Sequence, residues 1–182
     1  DFLMDFEFQI LDFIRETFSC APMDAIMKFI TFFGNAGWFW IVLSLVLAFI
    51  PKTRKIGITA CCALLFSLIF CNLTLKPLIA RIRPYDIREI ALIIEAEHDF
   101  SFPSGHTSAS FAAAVSYFYY DKKWFGLSAL VFATLIAFSR LYLYVHFPTD
   151  ILGGVVLGIV CATLAFFTVK FGYKKFSELK TK

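Results

Sequence analysis

Four stretches of this chain are apolar over lengths that a watery surface cannot accommodate: Gly37 to Ile50, Ile56 to Leu75, Trp124 to Leu143 and Ile151 to Val169. A bilayer span needs about 20 such residues. The last three runs meet that length, and the first meets it if its start reaches back past Asn35. A fifth run, Gly105 to Tyr120, is shorter and rich in Ala and Ser, the composition of a helix packed among others rather than against lipid. Hydrophobic residues make up 59% of the 182 positions and Phe alone occurs 24 times, more apolar surface than a soluble domain of this size can bury. The expected fold is therefore all-α: an integral membrane helical bundle of about five transmembrane helices preceded by amphipathic helices.

Phe2 to Phe18 alternates Phe, Leu and Ile with Asp, Glu and Arg at helical spacing, and Pro22 to Phe33 follows with a proline suited to a helix start. Both are placed at the membrane surface or along the bundle; the alternative is that Ile26 to Phe33 extends the first span. No cleavable signal is visible, because Asp1 to Glu7 is acidic. The chain reads as one domain: residues 1–34 interfacial, 35–171 the transmembrane core, and 172–182 a basic tail. Lys52, Arg54 and Lys55, then Lys122 and Lys123, then Lys170, Lys174, Lys175, Lys180 and Lys182 fall on one side, which should be cytoplasmic. The five cysteines show no metal-ligand spacing and imply no disulfide framework. The sequon Asn72-Leu73-Thr74 lies within an expected span, which makes it a poor glycosylation acceptor. No metal, cofactor or nucleic-acid partner is expected.

Three polar islands fall at the opposite ends of the apolar runs. The first is Lys76 to Arg83-Pro84. Arginine offers a planar fork to phosphate oxygens and lysine a point charge, although basic residues at span ends also simply snorkel to headgroups. The second is Pro103-Ser104-Gly105-His106. Ser104 suits an N-cap, the helix start is an anion site, and Gly105 permits close backbone approach; a plain cap would look the same. In the third, Ser139-Arg140 is followed by His146 and Asp150. A carboxylate near a histidine fixes its tautomer, and a capping Asp with an incidental histidine is the plainer alternative. Ionisable residues at membrane depth are functional candidates by default.

Together these islands resemble the signature of the type 2 phosphatidic acid phosphatase superfamily, K-x6-R-P, P-S-G-H and S-R-x5-H-x3-D, with every motif residue matched between Lys76 and Asp150. The resemblance implies a metal-independent phosphatase in which His146 is the nucleophile, Asp150 orients it and His106 protonates the leaving oxygen. Lys76, Arg83, Ser104, Gly105 and Arg140 are then the phosphate cradle, and vanadate is expected to inhibit as a phosphate mimic. The expected substrate is a membrane lipid phosphate or pyrophosphate: undecaprenyl pyrophosphate, phosphatidylglycerophosphate or phosphatidic acid. The lipid bilayer is its setting and the site faces the periplasmic or extracellular side. A lipid phosphotransferase using the same phosphohistidine, and a non-catalytic bundle that only binds phosphate lipids, are the alternatives. His98, in the acidic run Glu95 to Asp99, is read as a solvated loop residue, with a gate as the sharper possibility.

Overall fold

Three long helices wrap around a shorter one. In the computed structural model, which describes residues 2–121 and 124–180 (for Lys180 the backbone alone), the described residues form helices and no strands. They are α1 (Phe2–Phe18), α2 (Ala21–Phe32), α3 (Trp38–Phe49), α4 (Arg54–Ser67), α5 (Lys76–Ile79), α6 (Pro84–Ile87), α7 (Gly105–Tyr120), α8 (Trp124–Tyr142) and α9 (Pro148–Lys180). The short helix α7 is central, packed against α4, α8 and α9. Its Ala112, Ala113 and Ala114 are fully buried, so neighbouring helices come close. At Gly158 of α9 an added methyl would lie 2.7 Å from Phe111 Cβ and 2.8 Å from the Ser108 carbonyl oxygen. Polar pairs stitch the same seams: Trp40 Nε1 donates to Ser110 Oγ at 2.9 Å, and Ser67 and Ser108 hydroxyls meet at 2.7 Å. Without water to compete, small residues and such hydrogen bonds hold apolar helices together in lipid.

Three helices are long and apolar enough to cross a membrane: Arg54–Ile87, Trp124–Tyr142 and Pro148–Leu179. A fourth span requires α2 and α3 to be counted together, since they meet at a bend of 41°. The bend has a local cause. Ala36 (φ 48°) and Gly37 (φ 66°) take left-handed backbone in the single 3-10 turn between the two helices. By length and composition the bent pair fits the alternative in which Ile26 to Phe33 extends the first span. The fifth expected span, α7, has 16 residues, about 24 Å at 1.5 Å per residue, short of a hydrocarbon core of about 30 Å.

Pro77 disturbs its helix without ending it. A proline ring clashes with the carbonyl one turn upstream. Here the strain is absorbed by a π-helical stretch, Leu68–Leu75, after which α5 runs to Ile79. The wider turn carries Asn72 and Lys76 to the functional end. At the other end Lys55 Nζ lies 5.0 Å from the centre of the Tyr173 ring, so the basic starts and ends of α4 and α9 share a side. Of the positions expected to form the tail, 172–180 are the last turns of α9, and 181 lies outside the described residues. The Lys122-Lys123 part of the basic loop, and Lys182, lie outside the described residues. The chain is thus a multi-pass membrane protein.

Candidate active site

Ser104 caps α7 as expected: its hydroxyl accepts from the Thr107 N–H at 3.4 Å and from the Thr107 hydroxyl at 3.0 Å. One turn of α9 sets the other local pair, because Pro148 opens that helix and leaves His146 and Asp150 four residues apart. The two segments are joined by the Ser104 N–H donating to the Asp150 carbonyl oxygen at 3.1 Å. The second and third islands thus meet through backbone, independent of any ligand.

His146 and Asp150 are fully buried. Asp150 Oδ2 lies 3.5 Å from His146 Nδ1 and accepts from Ser101 Oγ at 2.5 Å and from the Phe147 N–H at 2.8 Å. On the far side of the ring, Arg83 Nη1 stands 3.3 Å from His146 Nε2. A guanidinium has only donors, so Nε2 must present its lone pair and the ring proton belongs on Nδ1, facing the carboxylate. Burial, then Arg83 and Arg140, push the His146 imidazole well below its ordinary pKa. The ring is held neutral with Nε2 directed at the cations, the state a nucleophile needs.

The three cations of the expected cradle converge. Lys76 and Arg83 both reach Asp99; Arg83 Nη2 also lies 2.5 Å from Glu97 Oε2, and Arg140 Nη2 reaches Glu97 Oε1. Lys76, Arg83 and Arg140 are all buried. Arg140 is fixed from behind by donating to Thr31 Oγ1 at 2.7 Å, and its Nε, although buried, has no hydrogen-bond partner. Such an orphan donor is rare. Burial raises the Glu97 carboxyl, but Arg140 and Arg83 outweigh it and hold the group below its usual range; for Asp99, Lys76 and Arg83 likewise outweigh burial. Two carboxylates thus pair with the three buried cations. His98 is exposed, as expected of a solvated loop residue, while its neighbours Glu97 and Asp99 turn to the three cations.

His106 forms the opposite wall. Its Nε2 lies 2.9 Å from Asn35 Oδ1, and its ring packs so close to Gly34 that a methyl there would lie 2.6 Å from His106 Cδ2. Gly105 faces Asn72 and Lys76; a methyl at Gly105 would sit 3.9 Å from Lys76 Cε. From this wall a cavity of about 840 Å³ runs down between α3, α4 and α7. Lys76, Asp99 and His106 line its polar end, and Ile41, Leu45, Leu64, Leu65 and Leu68 its apolar length.

Four further residues belong to the site and carry no motif that singles them out: Glu7, Asn35, Arg81 and Ser101. Arg81 donates to Asp150 Oδ1 at 2.7 Å and to Glu7 Oε2 at 2.5 Å. The only trace in the sequence is a carboxylate on the side of α1 that also presents Phe8, Leu11 and Ile14 to the core. Among the described residues no group of three or more His, Cys, Asp or Glu side chains is placed to hold a metal ion.

The fold and the site define a membrane-embedded helical bundle with three converging buried cations and a buried histidine beside a carboxylate at one end. The family model described as the PAP2 superfamily matches residues 56–173, and the chain belongs to that superfamily. It is 30% identical to the undecaprenyl-diphosphatase of Sulfolobus acidocaldarius over 139 residues, 76% of this chain and 66% of that relative. It is 29% identical to an undecaprenyl-diphosphatase of Bacillus subtilis over 150 residues, 80% of this chain and 75% of the relative. The crystal structure of a transmembrane PAP2-type phosphatidylglycerolphosphate phosphatase from Bacillus subtilis superposes with a TM-score of 0.74 and 28% identity, covering 96% of this chain and 88% of that one.

Proposed function

We propose that the protein is a lipid phosphatase that removes phosphate from a membrane lipid phosphate or pyrophosphate through a phosphohistidine on His146, without a metal. The observation that carries this reading is the orientation of His146. Nδ1 faces Asp150 while Nε2 faces the cradle cations, so a phosphorus atom held by Lys76, Arg83 and Arg140 lies in front of the lone pair.

In the first step His146 Nε2 attacks phosphorus, the N–P bond forms, and the bond to the leaving oxygen breaks. The leaving oxygen takes a proton from His106. In the second step a water gives that proton back to His106 and attacks the phosphohistidine, breaking the N–P bond and releasing inorganic phosphate. Phosphoryl transfer is chiefly positioning and charge stabilisation, and three buried cations supply the charge. The apolar cavity below His106 suits a lipid tail lying between α3 and α4 while its phosphate reaches the cradle. Polyprenyl diphosphates are the favoured substrate class, from the names of the two relatives, with phosphatidylglycerophosphate and phosphatidic acid as the runners-up. The positive charge of the opposite end supports a site on the extracytoplasmic side.

The test is phosphate release from a panel of purified lipid phosphates and diphosphates by the full chain in detergent, with His146→Ala beside it. Release by the wild type and none by His146→Ala supports the reading. Equal rates remove the nucleophile assignment, and a phosphorylated acceptor in place of free phosphate makes the enzyme a phosphotransferase.

A further inference from the structure

Helix α1 lies outside the residues matched by the family model, 56–173, yet it grips the segment that carries His146. Its outer face is apolar and exposed, with Phe2, Phe6 and Phe13 pointing away from the bundle. The inner face contains Glu7, which is 1% exposed. A carboxylate is almost never buried so completely unless it is paired, and both of its oxygens are used. Oε1 accepts from the Thr149 N–H at 3.0 Å and from the Thr149 hydroxyl at 2.6 Å, and Oε2 from Arg81 at 2.5 Å. Arg81 in turn donates to Thr149 Oγ1 at 2.6 Å and to Asp150 Oδ1 at 2.7 Å, with its guanidinium carbon 4.2 Å from the centre of the Phe147 ring.

The rest of α1 reinforces the grip. Phe8 packs edge-on against Phe147 with ring centres 5.3 Å apart, and Tyr144 donates to Asp12 at 2.6 Å. Tyr144 has φ 63°, a left-handed conformation that is costly for a bulky residue and persists where surrounding contacts enforce it. The loop from 143 to 147 is therefore held in an unfavourable backbone shape by contacts that include α1.

We infer that Glu7 and Arg81 are positioning residues for the phosphatase reaction: Glu7, from the interfacial helix, anchors Arg81, and Arg81 fixes the carboxylate of Asp150 that orients His146. The inference rests on the catalytic reading above. Charges alternate along the chain Glu7, Arg81, Asp150, so Glu7 balances the cation that would otherwise draw the field of Asp150 away from the imidazole. The charged groups facing His146 are Arg83, Arg140, Lys76, Glu97 and Asp150; Glu7 acts on it only through Arg81 and Asp150.

The experiment compares wild type, Glu7→Gln, Glu7→Asp and His146→Ala in the full chain, using the fastest substrate of the lipid panel. It records kcat/KM against pH, the thermal midpoint, and the amount of phosphoenzyme trapped by rapid denaturation at alkaline pH, where a phosphohistidine survives. Glu7→Gln should lower kcat/KM per phosphoenzyme-forming site by about 10- to 100-fold, the usual loss when the partner orienting a functional histidine from behind is removed. Its acid limb should move to lower pH, because losing a negative charge favours the neutral imidazole. Glu7→Asp, which keeps the charge, should return the limb toward the wild-type position. The limb does not depend on how much enzyme is folded, so lower yield cannot mimic this result. Glu7→Gln with the wild-type limb and kcat/KM within about twofold overturns the inference, as does a loss explained wholly by a smaller folded fraction. Turnover by His146→Ala instead overturns the catalytic reading on which it rests.

Discussion

Replacing Glu97 by Gln should make the protein bind phosphate mimics more tightly. The Glu97 carboxylate pairs with Arg83 and Arg140, whose side chains are 1% and 0% exposed, while its own is 24% exposed. An oxyanion entering the cradle must displace those bonds before it can make its own. A hydrogen bond to a charged group is worth about 1.5–3 kcal/mol net, and each 1.4 kcal/mol is tenfold in affinity. Relieving the competition should therefore lower the vanadate inhibition constant by about 10- to 100-fold. Asp99 is 48% exposed; an exposed pair contributes only about 0.2–1 kcal/mol, so Asp99→Asn should gain about fivefold at most. The ligand-free Glu97→Gln variant should also melt earlier, since it leaves buried cations unpaired, and vanadate should raise its thermal midpoint more than that of the wild type. The assay is vanadate inhibition of phosphate release, with thermal melts at matched vanadate concentrations. Weaker vanadate binding by Glu97→Gln would refute the reasoning, because the carboxylate would then be supporting the anion rather than standing in its place.

Asp150→Asn should lower kcat by roughly 10⁴-fold, the loss seen when a buried orienting carboxylate becomes an amide and the imidazole takes the wrong tautomer; steady-state kinetics with unchanged thermal melting checks it. Gly34→Ala should displace His106, because the new methyl would lie 2.6 Å from its ring and 2.8 Å from Ile136 Cγ2. Overpacking of this kind costs about 1–3 kcal/mol, read as a lower thermal midpoint together with a lower kcat. Stability should rise with pH through the histidine range. The folded-state pKa of His146 is depressed, so the unfolded chain binds the extra proton, and the stabilisation present above the unfolded value is lost as pH falls toward the folded one. Denaturant melts between pH 5 and 8 measure it, and the slope should flatten in His146→Asn. Chelators should leave phosphate release unchanged, since the cradle charge comes from Lys76, Arg83 and Arg140; rescue of a chelated sample by magnesium would contradict this.

Much of the site was legible because its parts are local. The Ser104–Thr107 cap is an i to i+3 contact and the His146–Asp150 pair is i to i+4, so both are written in spacing along one helix turn. Pro77 and Pro148 likewise act on the helices that contain them. Glu7 gave no such signal: on an amphipathic helix a carboxylate reads as part of the solvated face, and only its burial reverses that. In the run from Glu95 to Asp99 charge in a loop ordinarily faces water, as His98 does, and spacing gave no sign that Glu97 and Asp99 would pair with Arg83, Arg140 and Lys76.

Sequence alone determined the solvent, a bilayer, because 59% apolar composition in long runs leaves no other medium. It also pointed to the end where the polar islands gather, because the cost of placing charge beside hydrocarbon confines them to the ends of the spans. Tertiary structure decided which of those charges meet. Arg81 finds Glu7 across 74 positions and Arg140 finds Thr31 across 109. It also decided that Glu97 and Asp99 pair with the three buried cations, and that α2 and α3 meet at a bend of 41°. The physical reason is range: caps and turns obey local geometry within a few residues, whereas partners separated by most of the chain are chosen only when packed helices bring their buried charges to the same place.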